Sequence, residues 1–372
     1  MSEAPPRVLF VLPRMVVGGV ERVTLHVARG LIGEGMQCAL ALRCATGGLL
    51  EEAQSLMPVH ALGSGALAEF VSSLARLLAD WRPTHIVTAF SDVAMLTLLA
   101  RRRSGVRAVL VHGVHNVHAA VGAQRGAMGW VRHRMGNLLA VPVYARADAV
   151  VAVSEGIAAE IERGRWLRPR VLQVIYNPVI DRADLDAALA APLWISPTRM
   201  LSMGRLERQK GFDLLIQAVA ALDAGMAWTL DIWGEGSERQ RLQRQIQQLG
   251  LEQRVRLCGN AERPLQVLRD YGLFVMASRW EGFGNTLVEA MAMGLPVIAV
   301  DCPYGPREIL QSGRLGMLVP RGELASAIAS LLRDPARVDV GRLLQRAHDF
   351  TVQKAVADWA GLLRQVGAHP DQ

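Results

Sequence analysis

Residues 7–12 read RVLFVL, a run that stays apolar after its first position, and a glycine-containing turn leads from it into 20–31, where Val23, Val27 and Leu31 recur at helical spacing. A strand that is apolar on both faces must be covered on both, and a helix directly after it supplies one cover. The pairing repeats. Strands at 38–43, 85–89, 108–112, 149–153 and 171–176 are interleaved with helices at 67–79 and 93–101. A second series has strands at 198–203, 228–233, 255–257, 273–277 and 296–300, with helices at 211–221, 238–249 and 287–293. Strands that alternate with helices build parallel sheets.

With 372 residues the chain exceeds one compact core, and domains of roughly 150–200 residues are the expectation. The expected fold is α/β, two doubly wound Rossmann-like parallel-sheet domains in tandem. The first spans 1–177; 178–197, where Ala, Asp and Pro cluster, reads as a linker; the second spans 198–350; and 351–372 carries an amphipathic terminal helix at 352–366. Open α/β sheets bind ligands beyond the C-terminal strand ends, so the cleft between two such domains is the expected site.

Composition narrows the class. Hydrophobic residues are 51% and charged residues 20% of the chain, enough for packed cores and unlike a disordered sequence. Mean hydropathy is +0.20, yet no apolar run reaches the ~18–20 residues a membrane span needs. Glu3 and the short run before Pro13 do not form a secretory leader, so cytoplasmic residence is expected. Cys38, Cys44, Cys258 and Cys302 contain no CxxC pair and read as small buried hydrophobes.

Charge is unevenly placed. Up to Ile180 there are 19 Arg/Lys against 12 Asp/Glu, and the remainder holds 22 of each. No acidic residue lies between Asp92 and Asp148, a stretch that carries Arg101, Arg102, Arg103, Arg107, Arg125, Arg132, Arg134 and Arg146. One domain should present a positive face, which attracts nucleic acid, an anionic membrane or an acidic small substrate alike. Within it, 126–147 mixes Trp130, Met135, Leu138 and Tyr144 with arginines, a pattern suited to a headgroup layer or to an ordinary helix with its arginines in water.

The residues richest in chemistry are Glu281-Gly282-Phe283-Gly284-Asn285-Thr286-Leu287-Val288-Glu289, directly after the strand at 273–277. The glycines break a helix, leaving Glu281 in a loop and Glu289 on the helix that follows, whose first amides can bind anions or hydroxyls. Gly204-Arg205-Leu206-Glu207-Arg208-Gln209-Lys210 follows the second domain's first strand, where α/β folds bind phosphate, and Arg205 and Lys210 can neutralise a diphosphate. Lysine is rare here, with two residues, Lys210 and Lys354, beside 39 arginines.

In the first domain Gly18-Gly19-Val20-Glu21-Arg22 opens a helix after the first strand but lacks the GxGxxG spacing of a dinucleotide site. His112, His115 and His118 follow another strand. Their spacing matches no zinc motif, no carboxylate lies near, and His115 is the active-site candidate, for hydrogen bonding or proton handling. Asp184-Leu185-Asp186 has the form of a cation-binding DxD but sits in the linker and reads as solvated.

Taken together, these residues resemble the retaining glycosyltransferases of the GT-B fold, the large group called family 4. The resemblance covers nearly the whole chain: GGVER at 18–22, HN at 115–116, ADAVVAVSEGI at 147–157, YNPV at 176–179, GRLERQKGFDLLI at 204–216, WGEG at 233–236, SRWEGFGNTLVEAMAMGLPVIA at 278–299 and DCPYGPREIL at 301–310. It implies that Glu289 holds the ribose hydroxyls of a nucleotide sugar, that Glu281 and the amides of Gly282, Phe283, Gly284 and Asn285 hold the transferred sugar, with Thr286 also among the donor-binding residues, and that Arg205 and Lys210 hold the diphosphate. Gly259 and Asn260 would lie near the base, with Gly18, Gly19 and His115 facing the acceptor. Glu281, His115, Arg205 and Lys210 are the expected catalytic set.

The resemblance further implies a metal-independent, retaining transfer of a hexose or N-acetylhexosamine, without cofactor, and 301–308 points to a UDP-sugar. The acceptor would be a lipid-linked, lipopolysaccharide or capsule saccharide, with the enzyme in peripheral contact with the cytoplasmic face of the inner membrane. The terminal helix would cross back to the first domain. A phosphorylase or a nucleotide-sugar epimerase shares this fold and is the alternative. A nucleic-acid-binding module is disfavoured because the basic stretch contains no recognisable DNA or RNA motif.

Overall fold

A computed structural model of the chain describes residues 5–63, 65–115, 142–163, 169–190, 196–334 and 338–367. It divides into two units, residues 1–178 with 352–372, and residues 179–351.

In the first unit the described elements run β1 (Arg7–Leu12), α1 (Gly19–Gly33), β2 (Gln37–Leu42), α2 (Leu50–Leu56), β3 (Val59–Ala61), α3 (Leu67–Trp81), β4 (His85–Thr88), α4 (Ser91–Ser104), β5 (Val109–Val114), β6 (Ala149–Ala152), α5 (Glu155–Arg163) and β7 (Leu172–Val174). The sheet order is β3-β2-β1-β4-β5-β6-β7 and every pairing is parallel. Val8 to Leu12 are buried, as the unbroken apolar run requires.

The second unit continues with α6 (Arg182–Ala190), β8 (Arg199–Met203), α7 (Phe212–Ala220), β9 (Thr229–Trp233), α8 (Arg239–Gln248), β10 (Val255–Gly259), α9 (Pro264–Leu268), β11 (Leu273–Met276), α10 (Asn285–Ala292), β12 (Val297–Val300), α11 (Pro306–Ile309), β13 (Met317–Val319), α12 (Leu324–Arg333) and α13 (Val340–Ala347). Its parallel sheet has the order β10-β9-β8-β11-β12-β13. In both sheets the order reverses beside the unit's first strand, between β1 and β4 and between β8 and β11. Loops leaving the two central strands diverge at such a switch point and open a crevice at their C-terminal ends.

The last helix, α14 (Val352–Gly367), returns to the first unit and packs along α1. Gly30 makes that approach possible: a Cβ there would stand 2.1 Å from Val356 Cγ2. Among the described residues no helix is long and apolar enough to cross a membrane.

Three expectations need correction. Residues 178–197 are not a plain linker, because α6 occupies 182–190 and buries Leu185 and Ala188 within the second unit. Its alanines favour helix and Asp184 suits the positive first turn, so the composition that suggested a linker also serves a short helix. His112 does not follow a strand. β5 runs on to Val114, pairing Gly113 and Val114 with Val151 and Ala152 of β6, and encloses His112 within the sheet. Of the cysteines, Cys38 and Cys302 are buried, whereas Cys44 and Cys258 are partly exposed; all four are free thiols.

Candidate active site

The switch point of the second unit lies between β8 and β11. Lys210 comes from the loop after β8 and Glu281 from the loop after β11, and Lys210 Nζ stands 2.7 Å from Glu281 Oε1. Ser278 Oγ donates to the same oxygen at 2.6 Å. Glu281 is buried, and a buried carboxylate is tolerable only when charge and hydrogen bonds compensate its lost hydration.

The backbone explains how these side chains meet. Gly204, with φ +153°, lies alongside the Lys210 stem: a Cβ there would come within 3.1 Å of Lys210 Cε. Residues 208–210 form a single 3-10 turn ending at Gly211, whose φ is +66°. A Cβ at Gly211 would meet the Ala277 carbonyl oxygen at 2.0 Å, so only glycine lets the two loops touch. Glu281 N–H donates to Pro303 O, and Phe283 stacks edge-on to Phe350 at 5.3 Å.

Gly284, with φ +114°, begins α10 at Asn285. The first amides of a helix lack carbonyl partners within it and carry the positive end of its dipole. Thr286 Oγ1, in this turn, is buried without a hydrogen-bond partner among the described residues. Glu289, partly exposed, lies one turn further along α10.

Neighbouring loops complete the rim. Gly204 N–H donates to Trp233 O, Leu206 N–H to Glu235 O, and Gly234 N–H to Gly259 O, which stacks the ends of β8, β9 and β10. Arg205 and Asn260 are exposed there. The Arg205 guanidinium forms no ion pair among the described residues.

In the first unit, Gly18 precedes α1 and Gly19 opens it, with the buried Glu21 carboxylate folded over Gly18. His115 directly follows β5 and is partly exposed; burial lowers its pKa to about 4. His112 is fully enclosed, with Nδ1 2.9 Å from Thr88 Oγ1. Burial first, and then the charge of His115, bring its pKa to about 3. Both rings are therefore neutral at pH 7. Asn116, His118 and the basic stretch up to Val141 lie outside the described residues. Asp184 and Asp186 are on the exposed side of α6, where Asp186 faces Arg182 at 3.8 Å.

Sequence reasoning passed over Ser278, although it opens the quoted 278–299 motif, and it gave no role to Asp213 or Arg279, which also lie in quoted motifs. Their function depends on contacts between distant segments, which a linear motif does not display.

Two family models match along the chain: residues 17–182 match "Glycosyltransferase Family 4" and residues 196–347 match "Glycosyl transferases group 1". The chain belongs to the group 1, family 4 glycosyltransferases. It is 32% identical over 219 residues to the lipopolysaccharide core biosynthesis glycosyltransferase LpsE of Rhizobium meliloti, covering 56% of this chain and 60% of that protein. It is 33% identical over 193 residues to the lipopolysaccharide 1,6-galactosyltransferase of Salmonella typhimurium, covering 50% of this chain and 52% of that one. The matches thus span less than two thirds of either relative's length. Among solved structures, HepE of Anabaena in complex with UDP and glucose superposes with a TM-score of 0.79 at 22% identity, covering 97% of this chain and all of that one. At that identity the likeness shows the fold alone, two Rossmann-like parallel-sheet domains of the GT-B type.

Proposed function

We propose that the protein is a retaining, metal-independent glycosyltransferase that moves a hexose or N-acetylhexosamine from a nucleoside diphosphate sugar, a UDP-sugar, onto a lipid-linked, lipopolysaccharide or capsule saccharide. The observation that carries this reading is the Lys210–Glu281 ion pair at the sheet's switch point, followed by the N-terminus of α10. Departure of a nucleoside diphosphate develops negative charge on its β-phosphate, and a fixed ammonium with helix N-terminal amides stabilises charge where it forms.

In this reading Lys210 and Arg205 hold the diphosphate. Glu281, the 282–284 loop and the first turn of α10 hold the sugar hydroxyls, Glu289 the ribose, and Gly259 with Asn260 border the base. The acceptor hydroxyl attacks C1 from the face the diphosphate leaves, passing its proton to the departing phosphate oxygen, so the configuration at C1 is retained. Gly18, Gly19 and neutral His115 serve the acceptor. The two lipopolysaccharide enzymes among the relatives support the choice of acceptor class. Arg102 and Arg103, exposed at the end of α4, support contact with an anionic membrane on its cytoplasmic side.

The test is binding and slow hydrolysis across UDP-, GDP- and ADP-sugars, with EDTA present, in wild type and Glu289→Ala. Selective binding of a UDP-sugar that the variant loses is expected. Binding that requires a divalent ion would overturn metal independence. Sugar phosphate released only with inorganic phosphate would replace transferase by phosphorylase, and an epimer formed without acceptor would replace it by epimerase.

A further inference from the structure

Arg279 is 9% exposed, an unusual depth for a guanidinium that touches neither Lys210 nor Glu281. Its Nη1 and Nη2 each lie 2.7 Å from an oxygen of the Asp213 carboxylate, a two-pronged pairing. Nη1 also donates to Arg208 O at 3.0 Å, and the Arg279 backbone N–H donates to Gln209 O at 2.7 Å. In return Gln209 Nε2 donates to Trp280 O at 3.0 Å.

These bonds join residues 208 and 209 to residues 279 and 280, the positions immediately before Lys210 and Glu281. Asp213 lies in the first turn of α7, so its carboxylate is fixed to a helix rather than to a loop. Burial works to raise its pKa, but the hydrogen bonds and charge of Arg279, helped by Arg241, outweigh burial and hold it below the ordinary carboxylate range. It is therefore charged wherever the protein would work.

The geometry points to Asp213 and Arg279 as a positioning pair: anchored on α7, they clamp the β8 and β11 loops together and so set the Lys210 ammonium against Glu281. Neither touches substrate in this role. The clamp supplies what the ion pair cannot supply alone, because a lysine stem has four rotatable bonds and loses orientation unless its backbone is fixed. For activity, the inference rests on the reading of Lys210 and Glu281 as donor-site residues. For geometry it does not.

The chain's two lysines make a direct experiment possible. With lysine side chains labelled by 15N, the spectrum contains two Nζ signals, from Lys210 and from Lys354, which pairs with Asp358 at the surface and serves as the internal control. In Asp213→Asn the Lys210 signal is expected to move toward that of a solvated ammonium while Lys354 stays in place. With the UDP-sugar panel kcat is expected to fall roughly 10- to 100-fold, the scale of an ångström-sized misplacement, with a smaller change in donor KM. Asp213→Glu should recover part of both. If Asp213→Asn proves unfolded by circular dichroism, Gln209→Ala, which removes one cross-loop bond, is read in its place and should shift Lys210 in the same direction.

A folded variant whose Lys210 signal and kcat match wild type overturns the clamp. A wild-type protein that turns over no donor, while Asp213→Asn still displaces the Lys210 signal, overturns the proposed function and leaves the clamp standing.

Discussion

Lys210 Nζ and Glu281 Oε1 meet at 2.7 Å although 71 positions separate the two residues in the chain. Side-chain exposures of 16% and 6% make this a largely buried pair. Removing one partner from such a pair leaves an uncompensated charge, a loss of about 3–5 kcal/mol. Lys210→Met should therefore lower unfolding stability by about that much, and Lys210→Met/Glu281→Gln should recover part of it without recovering glycosyl transfer. Denaturant midpoints of the wild type, both single variants and the double variant check this; additive losses would show that the pair is not coupled.

Glu289 is partly exposed on α10, whereas Glu281 is buried. In the proposed role it accepts from two ribose hydroxyls, and hydrogen bonds to a charged group are worth about 1.5–3 kcal/mol. Glu289→Ala should weaken donor binding roughly 10- to 100-fold with thermal stability close to wild type. Calorimetric titration with the donor, beside a melting curve, separates the two effects.

His112 makes stability depend on pH. Its pKa is about 3 in the folded chain against the ordinary 6.5, so between those values the unfolded chain binds the extra proton. Stability is therefore fully present above pH 6.5 and declines as the pH falls toward 3, by up to about 1.4 kcal/mol per pH unit for this one group. His85 adds to the trend. Burial lowers its pKa, and its Nε2 lies 2.9 Å from Leu363 O on α14. Denaturant unfolding at pH 7, 6 and 5 should give a shallower loss for His112→Asn than for wild type; equal slopes would refute the assignment.

Gly305 combines a φ of +78° with a backbone neighbour that has no room to yield. A Cβ at this position would lie 1.6 Å from Phe283 O. Gly305→Ala should displace the 282–284 loop, lower the melting temperature by several degrees, since about 1 kcal/mol shifts a domain of this size by 2–4 °C, and weaken donor binding with it. Unchanged melting and binding would mean that the loop can shift freely.

Much of the fold is legible along the chain because it depends on local pattern. Unbroken apolar runs such as 8–12 and 297–300, bounded by turn residues, read as strands covered on both faces, and the helices between them follow from 3.6-residue spacing. Three-residue edge strands such as Val59–Ala61 and Met317–Val319 are too short to show a period, and α6 was hidden by a composition that a loop and a helix share. The glycine-broken motif at 281–289 also placed Glu281 in a loop and Glu289 on a helix, because helix breaking is a local property of glycine.

By itself, then, the sequence determined the tandem α/β architecture, the strand-loop-helix setting of Lys210, Glu281 and Glu289, and the family resemblance. Tertiary structure decided what those residues touch: that Ser278 and Lys210 share one oxygen of Glu281, that Arg279 reaches Asp213, and that His112 is sealed beside Thr88. The physical reason is range. Backbone period and turn chemistry act over a few residues, whereas a buried ion pair or hydrogen bond exists only after a sheet has formed and brought segments dozens of positions apart within 3 Å.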